Sequence, residues 1–436
     1  MFENVHEIIL KVTRDCNLRC TYCYVRDKDR FKGERMSFQV FKRIIDRWIE
    51  DHEKSCLKKR NLCIVFHGGE PTLLPHQEML RFINYARHKI PRVTFGIQTN
   101  MTNISPELAV IFQAHNISPG MSIDGWSSRH NKLRFNDKRK KLIENVRMLK
   151  KYNIPSGPLM VINSVNIKKT KKNIDKITRE FSTKTIKANY AENLSVQAHA
   201  APEVSAQELF ENLFLPLITQ FQKKYVLAEQ NVMDIIESFF SALLFGSPRN
   251  FDQEDLSVHC SSKFCAGGTG LVEVDADGTI CFCGRWDDVH NSCQLGMVDS
   301  IDLWGMSSYR KTFQLHLQKA RDIRQKHCDK CSARTICSYG CVAFSYAKYK
   351  KVYIREDLVC QYFLKVVEYL QEHAVTILLA FARWKSWEIR KKTKKIYIIR
   401  PNQEQSKFNI QNILSIQGLG ITKTDKNTDA LQVTLC

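Results

Sequence analysis

Cys16, Cys20 and Cys23 stand in a C-x3-C-x2-C spacing inside RDCNLRCTYCY, directly after the apolar run EIILKV. Three thiols suit neither common cysteine site, since a closed tetrahedral zinc site takes four ligands and a disulfide takes two. Three thiolates hold three irons of a cubane [4Fe-4S] cluster and leave the fourth iron open to an outside ligand. A zinc knuckle or incidental thiols are the alternative uses of so short a motif. Three more stretches carry groups suited to a small polar ligand. FHGGEP supplies Gly68 and Gly69, which admit close backbone approach, and Glu70, which can accept from an ammonium. QTN ends in Asn100, and SIDG holds Ser122 and Asp124, with Arg134 ten residues beyond Asp124. A guanidinium there would fork onto a carboxylate.

A second cysteine set lies downstream. Residues 260 to 360 hold ten of the 16 cysteines, where an even spread would leave about four. Cys260 and Cys265 come first, then Gly278 and Cys283, then Cys328-x2-Cys331-x5-Cys337-x3-Cys341, and finally Cys360. Taken alone, CDKC-x5-C-x3-C also suits a four-cysteine zinc site. Cys281, two residues before Cys283, is the alternative ligand at that place. Cys56, Cys63, Cys293 and Cys436 read as ordinary thiols.

The first motif, with Tyr22 before its last cysteine, resembles the signature of the radical S-adenosylmethionine enzymes. The resemblance implies that S-adenosylmethionine binds the open iron of the cluster on Cys16, Cys20 and Cys23. It further implies that the stretch with Gly68, Gly69 and Glu70 binds the methionine amino group, and that Asn100, Ser122, Asp124 and Arg134 contact ribose and carboxylate. Tyr22 joins these cofactor contacts. The second set resembles the SPASM pattern of radical peptide-modifying enzymes. That implies two auxiliary [4Fe-4S] clusters, one on Cys260, Cys265, Cys283 and Cys341, the other on Cys328, Cys331, Cys337 and Cys360. No catalytic residue is assigned.

Strand and helix periodicities supply the elements that must position these groups. Strands are expected at Glu7 to Val12, Leu62 to Phe66, Thr94 to Thr99, Ser118 to Ile123, Leu159 to Asn163 and Thr185 to Tyr190. Phe38 to Glu50, Gln77 to Lys89, Pro106 to His115 and Arg139 to Tyr152 repeat apolar residues at helical spacing. The expected fold class is α/β, a partial (β/α)6 TIM-like barrel, which the resemblance makes one of the radical SAM type followed by a cysteine-rich SPASM iron-sulfur domain. In such sheets ligands sit beyond the carboxyl ends of the strands, where the first cysteine loop falls. The expected domains are the barrel over 1–200, a helical connector over 201–258, the SPASM domain over 259–365 and a C-terminal helix with a basic tail over 366–436. A helix is expected near Leu364 to Trp384, with Ala374 to Ala382 as a buried segment.

The chain has 436 residues, 43% hydrophobic and 25% charged, a soluble globular balance. MFENVHEIILKV lacks the features of a secretory signal, and the longest apolar run near the C-terminus falls short of the roughly 20 residues that span a bilayer. A cytoplasmic location follows, where thiols stay reduced and metal sites become the default use of cysteine. The formal charge is +21, with Arg129 to Lys151 carrying ten Lys or Arg against two acids and Arg383 to Arg400 eight against one. Such runs are solvated faces or meet an acidic partner. KRKK and KKTKK lack interleaved stacking aromatics, although Trp384 and Trp387 flank the latter, so nucleic acid is disfavoured.

The resemblance therefore implies an enzyme that crosslinks a ribosomally synthesised (RiPP) precursor peptide by a C-C or ether bond at aromatic residues, like cyclophane synthases and the darobactin maturase. Its expected partners are a precursor with an acidic leader and a reductase or ferredoxin/flavodoxin electron donor, with no membrane span. Cys16 lies so near the start that no separate leader-binding domain is expected before the barrel. An anaerobic sulfatase-maturating enzyme forming formylglycine is the alternative. Relatives of that kind place an acid directly after the first auxiliary ligand, where this chain has Gly284, with Asp287 and Asp288 as nearby substitutes. A radical RNA-modifying enzyme and a non-enzymatic zinc module complete the alternatives.

Overall fold

A computed structural model of the chain describes residues 5–23, 25, 33–53, 61–134, 138–190, 204–245, 267–268, 270–285, 294–299, 322, 328, 330–337, 340–349, 357–392, 419–423 and 431–435. Six strands alternate with helices through its first half. They are β1 (Glu7–Thr13), β2 (Leu62–Gly68), β3 (Val93–Thr99), β4 (Ser118–Ser122), β5 (Gly157–Ile162) and β6 (Lys187–Tyr190). Between them run α1 (Phe38–Glu53), α2 (His76–Lys89), α3 (Pro106–Ala114), α4 (Arg139–Lys151) and α5 (Thr170–Phe181).

The strands pair in parallel in the spatial order β6-β5-β4-β3-β2-β1. An order that never reverses, with right-handed crossovers, sends every helix to the same face and curls the sheet into a partial barrel. Along β1, the buried Ile8, Leu10 and Val12 join the core that holds Phe41, Ile44 and Ile45 of α1. The intervening Glu7, Ile9 and Lys11 take the opposite, concave face by the period-2 rule. Phe41 and Phe82 stack with ring centres 4.3 Å apart and lock α1 to α2.

The same sheet continues into the cysteine-rich region. β7 (Leu271–Val274) pairs parallel with the free edge of β1, and β8 (Thr279–Cys281) and β9 (Gln294–Met297) extend it antiparallel, giving nine strands. Between barrel and β7 lies a helical connector. It comprises α6 (Ala206–Leu209), a π-turn (Phe210–Phe214), α7 (Leu215–Lys224) and α8 (Gln230–Phe245). The described C-terminal elements are α9 (Val342–Tyr349), α10 (Asp357–Glu372), α11 (Ala374–Lys392) and a hairpin of β10 (Leu419–Lys423) and β11 (Leu431–Leu435).

Three local expectations need correction. β2 runs through Gly68, so His67 and Gly68 also belong to the strand, two residues past its expected end at Phe66. The helix expected near Leu364 to Trp384 is two helices, broken at His373, whose N–H donates to Tyr369 O (3.1 Å). The run from Ala374 is only partly buried: Ile377 and Ala380 are enclosed, whereas Val375 is 43% exposed. Among the described residues no helix is long and apolar enough to cross a membrane.

Candidate functional site

The cysteine loop leaves the carboxyl end of β1, where the ladder with β2 shifts register between Lys11 and Thr13. Gly69 N–H donates to Thr13 O (2.8 Å) and Glu70 N–H to Asp15 O (2.7 Å), pinning the backbone just before Cys16. A Cβ at Gly68 would stand 2.1 Å from Thr13 O, and one at Gly69 2.2 Å from Asp15 O. Gly68 also has φ +131°, a conformation closed to ordinary side chains. The close approach these glycines permit is chain against chain, with the cysteine loop seated on the end of β2.

Glu70 is 1% exposed and its carboxylate is already engaged. It accepts from Thr72 N (3.2 Å), Thr72 Oγ1 (2.7 Å), Thr99 Oγ1 (2.6 Å) and Asn100 N (2.7 Å). Burial pushes its pKa up, and these donors pull against that. Glu70 thereby ties β2 to β3. Asn100 carries the tie to the loop: its Nδ2 donates to Asn17 Oδ1 (2.8 Å) and approaches Cys16 Sγ (3.9 Å). Its Oδ1 accepts from Thr102 N (2.9 Å) and Oγ1 (2.7 Å).

A second group closes the other side of the loop. Asp124 is fully buried after β4, and its carboxylate accepts from Tyr22 Oη, Arg134 Nε (3.2 Å) and Val161 N (3.1 Å). Asn131 and Asn166 hold its backbone, through Asp124 N to Asn131 Oδ1 (3.0 Å) and Asn166 Nδ2 to Asp124 O (2.9 Å). The Arg134 guanidinium lies 5.4 Å from the Tyr22 ring centre, and Cys20 Sγ lies 3.7 Å from Arg134 O. Ser122 Oγ accepts from Gln98 Nε2 (3.0 Å). Burial pushes the Cys20 thiol up to about 12, against the pull of Arg134. Burial also raises Tyr22 well above its usual value. It would lower Arg134, but the Asp124 carboxylate outweighs it and the guanidinium stays charged.

Tyr22, Gly68, Gly69, Glu70, Asn100, Asp124 and Arg134 thus converge with the three cysteines at the carboxyl ends of β1 to β4, as the spacing and strand order require. Among the described residues no three His, Cys, Asp or Glu side chains converge on a single metal ion. A cubane asks for something different, one soft sulfur at each of three iron corners. Three partly buried thiols on one loop, braced by Asn100 and Arg134, fit that demand.

Sequence reasoning missed the groups that brace this loop. Thr72 carries no motif, Thr99 is the middle residue of QTN with no role assigned to it, and Asn17, Asn131 and Asn166 are unremarkable in a loop-rich stretch. Two ion pairs were visible only as charges inside apolar runs. Lys11 Nζ meets Glu273 Oε1 at 2.9 Å with both side chains at most 1% exposed, and Arg14 Nε donates to Asp275 Oδ2 (2.8 Å). These pairs stitch β1 and its loop to β7.

Of the second cysteine set, Cys260 and Cys265 lie outside the described residues, as do Asp287 and Asp288. Cys281 is buried within β8, opposite Glu273, while Cys283 lies just past the strand and is half-buried. Cys331 N–H donates to Cys328 O (3.1 Å) and Cys331 opens the 3-10 turn Ser332–Thr335, which Cys337 closes by donating to Ala333 O (2.9 Å). Cys341 immediately precedes α9, and α10, which carries Cys360, packs on the 3-10 turn.

The Radical SAM superfamily model matches residues 10–179. The cysteine-type anaerobic sulfatase-maturating enzyme of Clostridium novyi (strain NT) is 24% identical over 351 residues, 77% of this chain and 87% of that protein. The structure of native anSMEcpe with bound AdoMet and Cp18Cys peptide superposes with a TM-score of 0.68 at 18% identity, covering 86% of this chain and 99% of that one. Streptococcus suis SuiB bound to precursor peptide SuiA gives 0.59 at 15% identity, over 82% and 76% of the two chains. At these identities the structural likenesses establish the fold alone, a parallel-sheet α/β domain.

Proposed function

We propose that this chain, whose residues 10–179 match the Radical SAM superfamily model, modifies a ribosomally made precursor peptide by hydrogen abstraction and closes an intramolecular crosslink. The observation that carries the radical part of this reading is the seating of the three-cysteine loop between two polar groups, Glu70 with Asn100 and Asp124 with Arg134. When bound, a [4Fe-4S] cluster and S-adenosylmethionine would supply the 5'-deoxyadenosyl radical that abstracts the hydrogen. Cys16, Cys20 and Cys23 would hold the cluster. The backbone of Gly68 to Glu70, with Asn100, Ser122, Asp124, Arg134 and Tyr22, would surround the nucleotide. Because Glu70 and Asp124 already accept several hydrogen bonds each, their part is to fix the pocket's shape before a ligand arrives.

The described cysteines after β7 support auxiliary [4Fe-4S] clusters, which when bound would supply an acceptor for the electron left as the crosslink closes and a proton leaves to solvent; Cys283 and Cys341 would serve one site alongside Cys260 and Cys265. Cys328, Cys331, Cys337 and Cys360 would serve the other. Half-buried Cys283 beyond the strand suits a ligand better than Cys281 inside the ladder.

Formylglycine formation is the second reading, favoured by the match to the sulfatase-maturating relative over 77% of this chain. It is disfavoured at Gly284, which leaves no acidic side chain directly after Cys283. The test is anaerobic reconstitution, which should yield about twelve irons per chain for three cubanes, followed by dithionite and S-adenosylmethionine. Release of 5'-deoxyadenosine by the wild type, lost in the Cys16→Ala/Cys20→Ala/Cys23→Ala variant, supports radical chemistry; stoichiometric zinc and no release overturn it. Mass spectrometry of a co-expressed neighbouring precursor should show the loss of two hydrogens without labelling by a carbonyl reagent. A labelled aldehyde would transfer the assignment to formylglycine.

A further inference from the structure

The electron that such chemistry consumes must come from outside the chain, and one surface beside the cysteine loop has the charge to receive its carrier. α4 and α5 follow neighbouring strands, and Trp126 joins them, its ring centre lying 5.9 Å from the Arg139 guanidinium of α4 and 5.4 Å from Lys176 Nζ of α5. Ion pairs engage Lys42, Arg43 and Arg47 on α1, and Lys141, Lys171 and Lys176 on α4 and α5. α4 carries six Lys or Arg and a single acid, Glu144. Lys132, Lys138, Lys140 and Lys172 are exposed and have no carboxylate partner among the described residues.

Stability does not explain this placement. Neither helix has an acid in its first turn, and each instead collects cations at the end where the helix dipole is already positive. The charged edge touches the cysteine loop directly, through Lys138 Nζ donating to Asn17 O (2.7 Å) and Thr21 N donating to Leu133 O (2.9 Å).

The face also indicates what kind of partner it suits. The large exposed hydrophobics among the described residues are Val110, Val226, Met297 and Val375, none of them on α4 or α5. Such a face offers steering charge without apolar anchors, which gives fast arrival and fast departure, the needs of a transient carrier and not of a substrate held through catalysis. Single-stranded RNA would want open rings to stack on. Trp126 is not open, lying between Arg139 (5.9 Å) and Lys176 (5.4 Å).

We propose that the surface formed by Lys132, Lys138 and the amino-terminal ends of α4 and α5 docks an acidic one-electron carrier protein. The carrier is oxidised by one electron, and the cluster on Cys16, Cys20 and Cys23 is reduced by one. This rests on the radical reading above, and two reductants separate the two ideas. Dithionite needs no docking; reduced flavodoxin, an acidic flavoprotein, does.

In the Lys140→Glu/Lys172→Glu variant, flavodoxin-driven release of 5'-deoxyadenosine should fall about tenfold at low salt while dithionite-driven release is unchanged. Lys223→Glu/Lys224→Glu, exposed on α7 and carrying the same charge change, should match the wild type with both. Binding of oxidised flavodoxin to the reconstituted protein, followed by thermophoresis, should weaken about tenfold in the first variant only, and should weaken with added salt in the wild type. Equal losses in both variants, or none in the first, overturn the proposal. So does a glutamate-rich peptide or an RNA oligonucleotide that displaces flavodoxin from this face, reassigning it to that partner. If the wild type releases nothing with dithionite, the radical reading fails, and the binding comparison still judges the docking face.

Discussion

Gly69 is confined by two backbone oxygens, Asp15 O at 2.2 Å and Arg14 O at 2.4 Å from where a Cβ would sit. Neither can yield as a flexible side chain would, so Gly69→Ala must push the start of the cysteine loop off β2. The expected cost is about 2 kcal/mol or more, seen as a lower thermal midpoint and as iron lost after reconstitution. Gly157→Ala, with open space around its Cβ, serves as the control. An unchanged midpoint and iron content at Gly69→Ala would show that the contact with the loop is dispensable. The motif itself was legible in the sequence. Its contact with Thr13 to Asp15 was not, because residues over fifty positions apart meet only once β1 and β2 pair.

At the scale of elements, Glu229 joins the connector to the barrel. Its carboxylate accepts from Val232 N (2.8 Å), capping α8, and from Ala188 N (2.8 Å), securing β6. Burial raises its pKa from 4.5 to about 7, against the pull of those backbone donors. A raised carboxyl binds its proton more tightly folded than unfolded, so its stabilising contribution is full below about pH 4.5 and is lost as the pH rises through about 7. The stability advantage of wild type over Glu229→Gln should therefore be largest near the acidic end of that window and shrink across it, read as thermal midpoints at several pH values. A constant difference would mean that Glu229 does not titrate there. The element pattern was largely readable from periodicity, since apolar alternation and helical spacing record burial directly. The break at His373 was not, because each flanking segment keeps a helical pattern and only their separate packing divides them.

Across the whole molecule, Lys11 and Glu273 form a buried pair between the first strand and the cysteine-rich half. Removing one partner strands a charge, so Lys11→Met should destabilise by about 3 kcal/mol, whereas Lys11→Met/Glu273→Leu should recover much of that loss. Denaturant unfolding of the two variants and of Glu273→Leu gives the coupling; purely additive costs would mean that the pair does not join the halves. By itself the sequence determined the cysteine spacings, the Gly-Gly-Glu, Asp and Arg candidates and the alternating α/β order, because these depend on residue type and on spacing along one element. Only the tertiary structure decided that β7 docks on β1, that Glu70 and Asp124 spend their oxygens bracing the pocket, and that the cations at the amino-terminal ends of α4 and α5 gather beside the cysteine loop. Those outcomes depend on which distant segments the curled sheet brings within hydrogen-bond reach, and no local pattern along the chain encodes that distance.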